Sequence, residues 1–84
     1  MRIEVLGPGC QKCQALLANV KEALSRSAVD AEVVKVEDVF EIMQRGVNRT
    51  PAIIIDGELM LQGRVATVRE IADWISGRSS ENTG

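Results

Sequence analysis

The hydrophobic positions of the chain change their period several times, and each change marks a predicted element. Alternating apolar and polar residues over Arg2–Leu6 predict a strand, with Ile3 and Val5 on one face. From Cys13 the apolar residues recur at intervals of three and four, which indicates an amphipathic helix. A Val-rich segment at Ala31–Val36 predicts a second strand. One helix between two strands favours a parallel βαβ unit.

The second half of the chain predicts a short helix and then a hairpin. Asp38 is expected to cap the short helix, which should stop at Gly46. The Asp56-Gly57 dipeptide separates two apolar runs, Ala52–Ile55 and Glu58–Leu61, and such a dipeptide is a strong signal for a tight turn. Strands three and four are therefore predicted to be antiparallel.

A last helix is predicted from apolar residues at helical spacing after Val68, and we expect it to end at Gly77. The polar residues that follow predict a frayed tail over 77–84, which leaves 1–76 as one domain. The complete order is β-α-β-α-β-β-α. It predicts an α/β fold, a four-stranded mixed sheet with helices on both faces.

Composition and charge narrow the classes of function. The 84 residues are 45% hydrophobic, 26% charged and only 2% aromatic, which indicates one small globular domain with an aliphatic core. The net charge is −2 and no basic run occurs, so nucleic acid is not expected as a partner. The first apolar run is too short for a signal peptide or a spanning helix. We therefore expect no membrane partner and a cytoplasmic location.

Both cysteines lie in Cys10-Gln11-Lys12-Cys13, where the first strand gives way to the first helix. In a reducing compartment such a pair is more often catalytic or metal-binding than a permanent disulfide. The helical stripe includes Cys13 and excludes Cys10, so Cys13 should face the core while Cys10 is more exposed at the helix N-terminus. Unsatisfied N–H groups and the helix dipole are expected to lower the pKa of Cys10 below about 8.5, assisted by Lys12.

The Cys-x-x-Cys at the first helix, Thr50-Pro51 before the third strand and the closing β-β-α resemble the thioredoxin/glutaredoxin superfamily. The resemblance is closest to its small branch of redox-active disulfide proteins, and it covers residues 1 to about 76. It implies a thiol-disulfide oxidoreductase and electron carrier that exchanges with protein disulfides; reduction of the partner is favoured, and the direction is left open because the sequence does not give the reduction potential. The implied partners are a disulfide-containing protein and an electron-donating reductase. No cofactor is expected besides the Cys10-Cys13 disulfide itself, and no metal.

The same resemblance implies roles for individual residues. Cys10 would be the nucleophile and Cys13 the resolving cysteine. In the superfamily the proline at the position of Pro51 is cis and faces the dithiol. The preceding residue, Thr50, offers backbone polar groups to an extended partner. Gly63 resembles the glycine that follows the fourth strand in the superfamily and lines the corner where Cys10 and Cys13 lie, which we call the thiol corner. An ordinary turn glycine explains Gly63 equally well.

Glu4 has two interpretations. It lies six residues before Cys10, where thioredoxins carry a buried aspartate that moves protons for the resolving cysteine, so the resemblance implies a proton acceptor. A solvated glutamate on the first strand is the other interpretation. The chain also departs from the thioredoxin pattern, because Gly9 stands where an aromatic residue usually precedes the first cysteine and Gln11-Lys12 replaces Gly-Pro. These departures bear on substrate specificity more than on the chemistry.

The alternative from a different class is a soft-metal module. The first 36 residues also resemble heavy-metal-associated domains, which carry copper(I) between two thiolates. Those domains continue β-α-β, whereas this chain continues with a helix, a hairpin and a helix, so its second half favours the redox fold. A zinc site is disfavoured, because zinc takes about four N or S ligands and the chain has two cysteines and no histidine.

Overall fold

The structure, a computed structural model, describes residues 1–9 and 11–83, with 78–83 described by their backbone alone. The described residues form four strands and three helices, which follow one another in the predicted order. In chain order they are β1 (Arg2–Leu6), α1 (Gln11–Ser27), β2 (Glu32–Val36), α2 (Val39–Gln44), β3 (Ala52–Ile55), β4 (Glu58–Gln62) and α3 (Val68–Thr83). Each predicted element is present, and most of the observed bounds lie within a few residues of the predicted ones.

The four strands form one mixed sheet in the order β2-β1-β3-β4. Strand β1 pairs with β2 in parallel, and Ile3 lies opposite Val33. It pairs with β3 in the antiparallel sense, with Ile3 opposite Ile55. Strands β3 and β4 form the antiparallel hairpin, with a register irregularity between Ile53 and Ile54. The predicted four-stranded mixed sheet is therefore confirmed, and β1 and β3 are its central strands.

Alternate residues of β1 face opposite sides of the sheet, and each side is covered by helices. Ile3 and Val5 belong to the larger apolar cluster, to which α1 contributes Leu16 and α3 contributes Ile71. On the other side a smaller cluster contains Leu6 together with residues from α2 and the neighbouring strands; its buried members are Leu6, Val36, Ile42, Val47, Ala52 and Ile54. Helices α1 and α3 thus lie on one face and α2 on the other, which confirms the prediction of helices on both faces.

The predicted caps and turns explain where the short elements begin and end. Asp38 is the N-cap of α2, and its Oδ1 accepts hydrogen bonds from the N–H groups of Phe40 at 2.8 Å and Glu41 at 3.4 Å. Between β3 and β4, Asp56 and Gly57 have φ values of 50° and 85°. Positive φ at both central residues is the requirement of the hairpin turn that an Asp-Gly pair favours.

Helix α3 is longer than predicted. It continues past Gly77 to Thr83, whereas the sequence pattern placed its end at Gly77 and a frayed tail over 77–84. A glycine ends a helix when it adopts the left-handed conformation, and Gly77 does not. In the right-handed conformation it only weakens the helix, and no proline follows to stop it. The predicted helix end at Gly77 is thus wrong, the predicted fraying of the segment after it stays a prediction, and Gly84 lies outside the described residues.

The two long helices, α1 and α3, have 17 and 16 residues, and both pack an apolar face on the sheet. In the part of the chain that the structure describes, no helix has the combined length and hydrophobicity needed to cross a membrane.

Helix α3 starts with a capping box that the sequence analysis did not identify. The N–H of Thr67 donates to Oε1 of Glu70 at 3.0 Å, and the N–H of Glu70 donates to Oγ1 of Thr67 at 3.1 Å. The guanidinium of Arg64 also donates to both carboxylate oxygens of Glu70, at 2.9 and 2.8 Å. The hydrogen bond from Arg64 and then the one from Thr67 lower the pKa of Glu70 from 4.5 to about 2. The Thr-x-x-Glu spacing was the signal for this cap.

This pKa shift predicts how stability depends on pH. Because the pKa of Glu70 is lower in the folded protein than in the unfolded chain, its contribution is complete above pH 4.5 and is lost as the pH falls towards about 2. Glu70→Gln should therefore be less stable than wild type near neutral pH, and the two should converge in acid. Urea unfolding across this range measures the difference. Glu22→Gln, which removes an exposed ion pair with Arg26 at 3.8 Å, is the control. A constant difference between wild type and Glu70→Gln at all pH values would contradict the prediction.

Candidate active site

The candidate site lies where β1 ends and α1 begins. The N–H of Gly7 donates to the carbonyl of Val36 at 2.9 Å, which extends the pairing of β1 with β2 by one residue. The chain then turns through Gly9, whose φ is +75°, and α1 begins at Gln11. Cys10, the predicted nucleophile, is the residue before Gln11 and lies outside the described residues.

Cys13 lies inside the protein at this corner. It is 1% exposed and belongs to the buried face of α1, as the helical stripe predicts. Its Sγ is 4.0 Å from the carbonyl oxygen of Leu6, within range of a weak hydrogen bond from a thiol. The last residue of β1 and the first turn of α1 therefore meet at this sulfur.

Gly7 makes this close approach possible. A Cβ atom added to Gly7 would overlap with Sγ of Cys13, and it would lie 3.8 Å from Cβ of Thr50. A real side chain at position 7 would have to displace the sulfur. Because Sγ of Cys13 and Cβ of Thr50 both lie close to the position of this added Cβ, Cys13 and Thr50 are neighbours across Gly7. The structure thus brings together two residues that the sequence analysis assigned to the site, and it adds Gly7.

The segment before β3 forms the other side of the corner. The peptide bond between Thr50 and Pro51 is cis, as the resemblance implies. Pro51 is buried, whereas Thr50 is exposed. The carbonyl of Pro51 accepts a hydrogen bond from the N–H of Gly63 at 2.9 Å, and Gly63 has a φ of +91°, which favours glycine. Gly63 therefore lies beside the proline, and its role in lining the thiol corner stays a prediction.

An apolar groove of about 570 Å³ adjoins this corner. Its walls come from α2, from the loop after α2 and from the turn before α1; they consist of Pro8, Val39, Ile42, Met43, Gly46, Val47, Asn48 and Thr50. Two of the large apolar wall residues are exposed, Val39 at 58% and Met43 at 63%, and the neighbouring Phe40 is 78% exposed. Exposed apolar side chains grouped beside a groove are typical of a surface that binds a partner. Sequence analysis missed this groove.

Glu4 is not the solvated strand residue that one interpretation expected. It is buried on the α2 side of β1, and its side chain is 12% exposed. The Nε of Arg45 donates to Oε1 of Glu4 at 2.8 Å, so the carboxylate forms an ion pair inside the protein. Helix α2 covers this face of the sheet, and this cover removes Glu4 from water. The sequence contained no signal for the pair, because its members are 41 positions apart. Whether Glu4 accepts a proton stays a prediction.

Lys12 is exposed in the first turn of α1, where its predicted contribution to the thiol pKa is untested. For the metal alternative, the described residues contain no group of three or more His, Cys, Asp or Glu side chains placed to bind an ion.

Known proteins share this fold and this sequence pattern. Residues 1–76 match the sequence profile of the thioredoxin domain. The chain is 38% identical over 76 residues to a thioredoxin of Methanothermobacter thermautotrophicus, covering 90% of this chain and 99% of that protein. It is 39% identical over 71 residues to a thioredoxin of Methanocaldococcus jannaschii, covering 84% and 81% of the two chains. The solved structure of thioredoxin 1 from Thermosipho africanus superposes with a TM-score of 0.69 at 22% identity, over the full length of both chains.

The fold is that of the thioredoxin-like proteins, which the last comparison shows. The chain belongs to the thioredoxin domain family, a family of thiol-disulfide oxidoreductases. The resemblance inferred from sequence is thereby confirmed. The comparisons give no support to the copper(I) alternative.

The close approach at Gly7 predicts the effect of adding a single methyl group. Gly7→Ala should lower the free energy of unfolding by about 1–3 kcal/mol, because the new Cβ meets Sγ of Cys13 in a packed interior. It should also speed alkylation of Cys13 in the native protein. The matched control is Gly77→Ala in α3, where no atom lies within 4 Å of the added Cβ. That change should raise stability by about 0.5–1 kcal/mol, since alanine is the better helix former. Equal effects at the two glycines, measured by urea unfolding, would contradict the packing argument.

Proposed function

We propose that the protein reduces disulfide bonds in partner proteins through Cys10 and Cys13. The observation that carries the proposal is the position of Cys13, whose Sγ lies at the start of α1 against Gly7 and the carbonyl of Leu6, in a member of an oxidoreductase family. A buried second cysteine suits a resolving role, because it is protected from solvent oxidants and reacts only with a sulfur brought to it. Cys10 is assigned as nucleophile from its place directly before the helix in the sequence.

The reaction consists of two exchange steps. The thiolate of Cys10 attacks one sulfur of the partner disulfide; a mixed disulfide forms, and the other partner sulfur leaves as a thiolate that takes up a proton. Cys13 then loses its proton and attacks the sulfur of Cys10. The Cys10-Cys13 disulfide forms, and the second partner sulfur is released as a thiol. Two electrons pass from the dithiol to the partner, and a separate reductase restores the dithiol.

The environment of Cys10 is expected to favour its thiolate. The first N–H groups of a helix have no intrahelical acceptor, and the helix dipole is positive at that end. The exposed ammonium of Lys12 adds a positive charge in the same turn. For the proton of Cys13, Glu4 is the candidate acceptor, and its ion pair with Arg45 would have to adjust when it takes up a proton.

The partner is proposed to lie in extended form along Thr50 and across the apolar groove. Thr50 is exposed beside the thiol corner, and the buried Pro51 holds the segment against Gly63 through the bond at 2.9 Å. The groove continues from Thr50 to Met43 of α2, so it can bind apolar residues next to the partner's disulfide. A small open surface of this kind fits a protein disulfide. The cytoplasmic location stays a prediction of the sequence.

The two cysteines should differ in trapping experiments. Cys13→Ser should accumulate a mixed disulfide through Cys10 when it is mixed with an oxidised protein substrate, because the second step is blocked. Cys10→Ser should accumulate none, since the remaining thiol is buried. Nonreducing gels with mass mapping of the linked peptides measure the outcome. Equal trapping by both variants would contradict the assigned roles.

Alkylation of the reduced protein gives an independent test of thiol activation. The rate at Cys10 should follow a pKa clearly below about 8.5, while Cys13 should stay unreactive until much higher pH. Mass mapping separates the two sites, and the same protein unfolded in urea supplies the reference rates. Lys12→Gln should slow the reaction of Cys10 near neutral pH if the ammonium contributes. Similar titration of both cysteines near 8.5 in the native protein would count against the mechanism.

A further inference from the structure

Arg45 joins the end of α2 to the centre of the sheet. Its Nε donates to Oε1 of Glu4 in β1 at 2.8 Å, and its Nη1 donates to the carbonyl of Glu41 in α2 at 2.9 Å. The arginine and glutamate side chains are 28% and 12% exposed, so water competes little for these bonds. Hydrogen bonds between charged groups are stronger than neutral ones, and shielding increases the effect. One side chain therefore connects the covering helix with the central strand.

Helix α2 has few other attachments. It has six residues, and a helix of this length is not stable in isolation. Of these six residues, all of which the structure describes, Ile42 alone is buried. The backbone N–H of Arg45 donates to the carbonyl of Ile42 at 3.2 Å and the N–H of Gly46 to the carbonyl of Met43 at 3.0 Å, and both bonds lie at the C-terminal end of the helix. The position of α2 on the sheet thus depends on the apolar contact of Ile42 and on the ion pair of Arg45.

The same helix forms one wall of the groove, through Val39, Ile42 and Met43. The strand to which Arg45 binds leads directly to the thiol corner, because Leu6 and Gly7 follow Glu4 by two and three residues. The ion pair therefore connects the helix that carries the apolar wall to the strand whose last carbonyl contacts Sγ of Cys13.

We propose that Arg45 is a positioning residue for partner binding. By holding α2 on β1, Arg45 fixes the distance between the apolar wall and the thiol corner. At this distance one extended segment of a partner contacts both the wall and the corner. The bound segment is apolar and flanks the partner's disulfide, since the groove walls are mostly apolar and extend to Thr50. The proposal rests on the proposed function, and it assigns Arg45 no direct contact with the reacting sulfurs.

The test compares two disulfides that differ in their need for the groove. Reduced wild type and Arg45→Met are mixed with an oxidised peptide whose disulfide is flanked by leucine and valine, or with bis(2-hydroxyethyl) disulfide, which is too small to span the groove. Arg45→Met should raise the half-saturating peptide concentration about tenfold, equivalent to about 1.4 kcal/mol. Any change in rate that arises through Glu4, the candidate proton acceptor, should be the same with saturating peptide and with the small disulfide, so only the half-saturating concentration of the peptide should report the position of α2.

A second variant distinguishes the effect of losing the attachment of α2 from the effect of the unpaired charge that Arg45→Met leaves on Glu4. In Glu4→Gln/Arg45→Met neither charge is left buried, so this variant should fold even if the single one does not. It should show the same rise in half-saturating concentration, because α2 has lost its attachment in both. Arg26→Met in α1, which removes an arginine that is 68% exposed, is the matched control and should behave as wild type.

Three outcomes would overturn the proposal. The first is an equal loss of rate with both disulfides in Arg45→Met at an unchanged half-saturating peptide concentration, and the second is no change with either disulfide. The third is recovery of the wild-type half-saturating concentration in the double variant. Failure of wild type to reduce either disulfide would instead reject the proposed function. In that case hydrogen exchange still tests the attachment, because amides from Ile42 to Val47 should exchange faster in Arg45→Met while those of α1 should not.

Discussion

The structure depends on the burial of β1 on both of its faces and along both of its edges. The strand pairs with β2 on one side and β3 on the other, and four of its five residues are buried. Its last residue, Leu6, presents a carbonyl oxygen to Sγ of Cys13, and the following Gly7 leaves room for that sulfur. Because β1 is fixed from every direction, the position of the thiol corner is fixed with it. A cysteine on an edge strand or a loop would lack this support.

Local patterns predicted the elements well because their signals lie within a few residues of each other. The Asp56-Gly57 turn, the cap at Asp38 and the helical stripe that includes Cys13 each involve neighbours in sequence. The burial of Cys13 followed from the stripe alone, whereas the cis bond before Pro51 was expected only from the resemblance. What could be predicted from the residues themselves is therefore the order of elements and the inward direction of one thiol.

The remaining features arise from contacts between distant parts of the chain. No periodicity connects Glu4 with Arg45, and the groove exists only when α2 is placed beside Thr50. The error at Gly77 has a different origin, because a glycine indicates a helix end only when it adopts the left-handed conformation, and composition does not determine φ. The capping box at Thr67 was visible in the sequence as a Thr-x-x-Glu pattern and was overlooked.

The site is built from two parts that differ in how firmly they are held. The thiol corner lies between a central strand and a helix of 17 residues, and its atoms are packed so closely that even a methyl group at Gly7 has no room. The apolar wall belongs to a six-residue helix with one buried residue, and a partly buried ion pair of its C-cap Arg45 attaches it to β1. Under the proposed function, the first part carries the exchange chemistry and the second carries the recognition of partners. Changes in the exposed residues of α2, such as Met43, can therefore alter which partners bind without disturbing the packing around Cys13. The ion pair of Arg45 with Glu4 connects these two parts. Under the proposed role of Arg45, a substitution of this residue therefore affects partner recognition by moving the apolar wall, and it leaves the side chains of the wall unchanged.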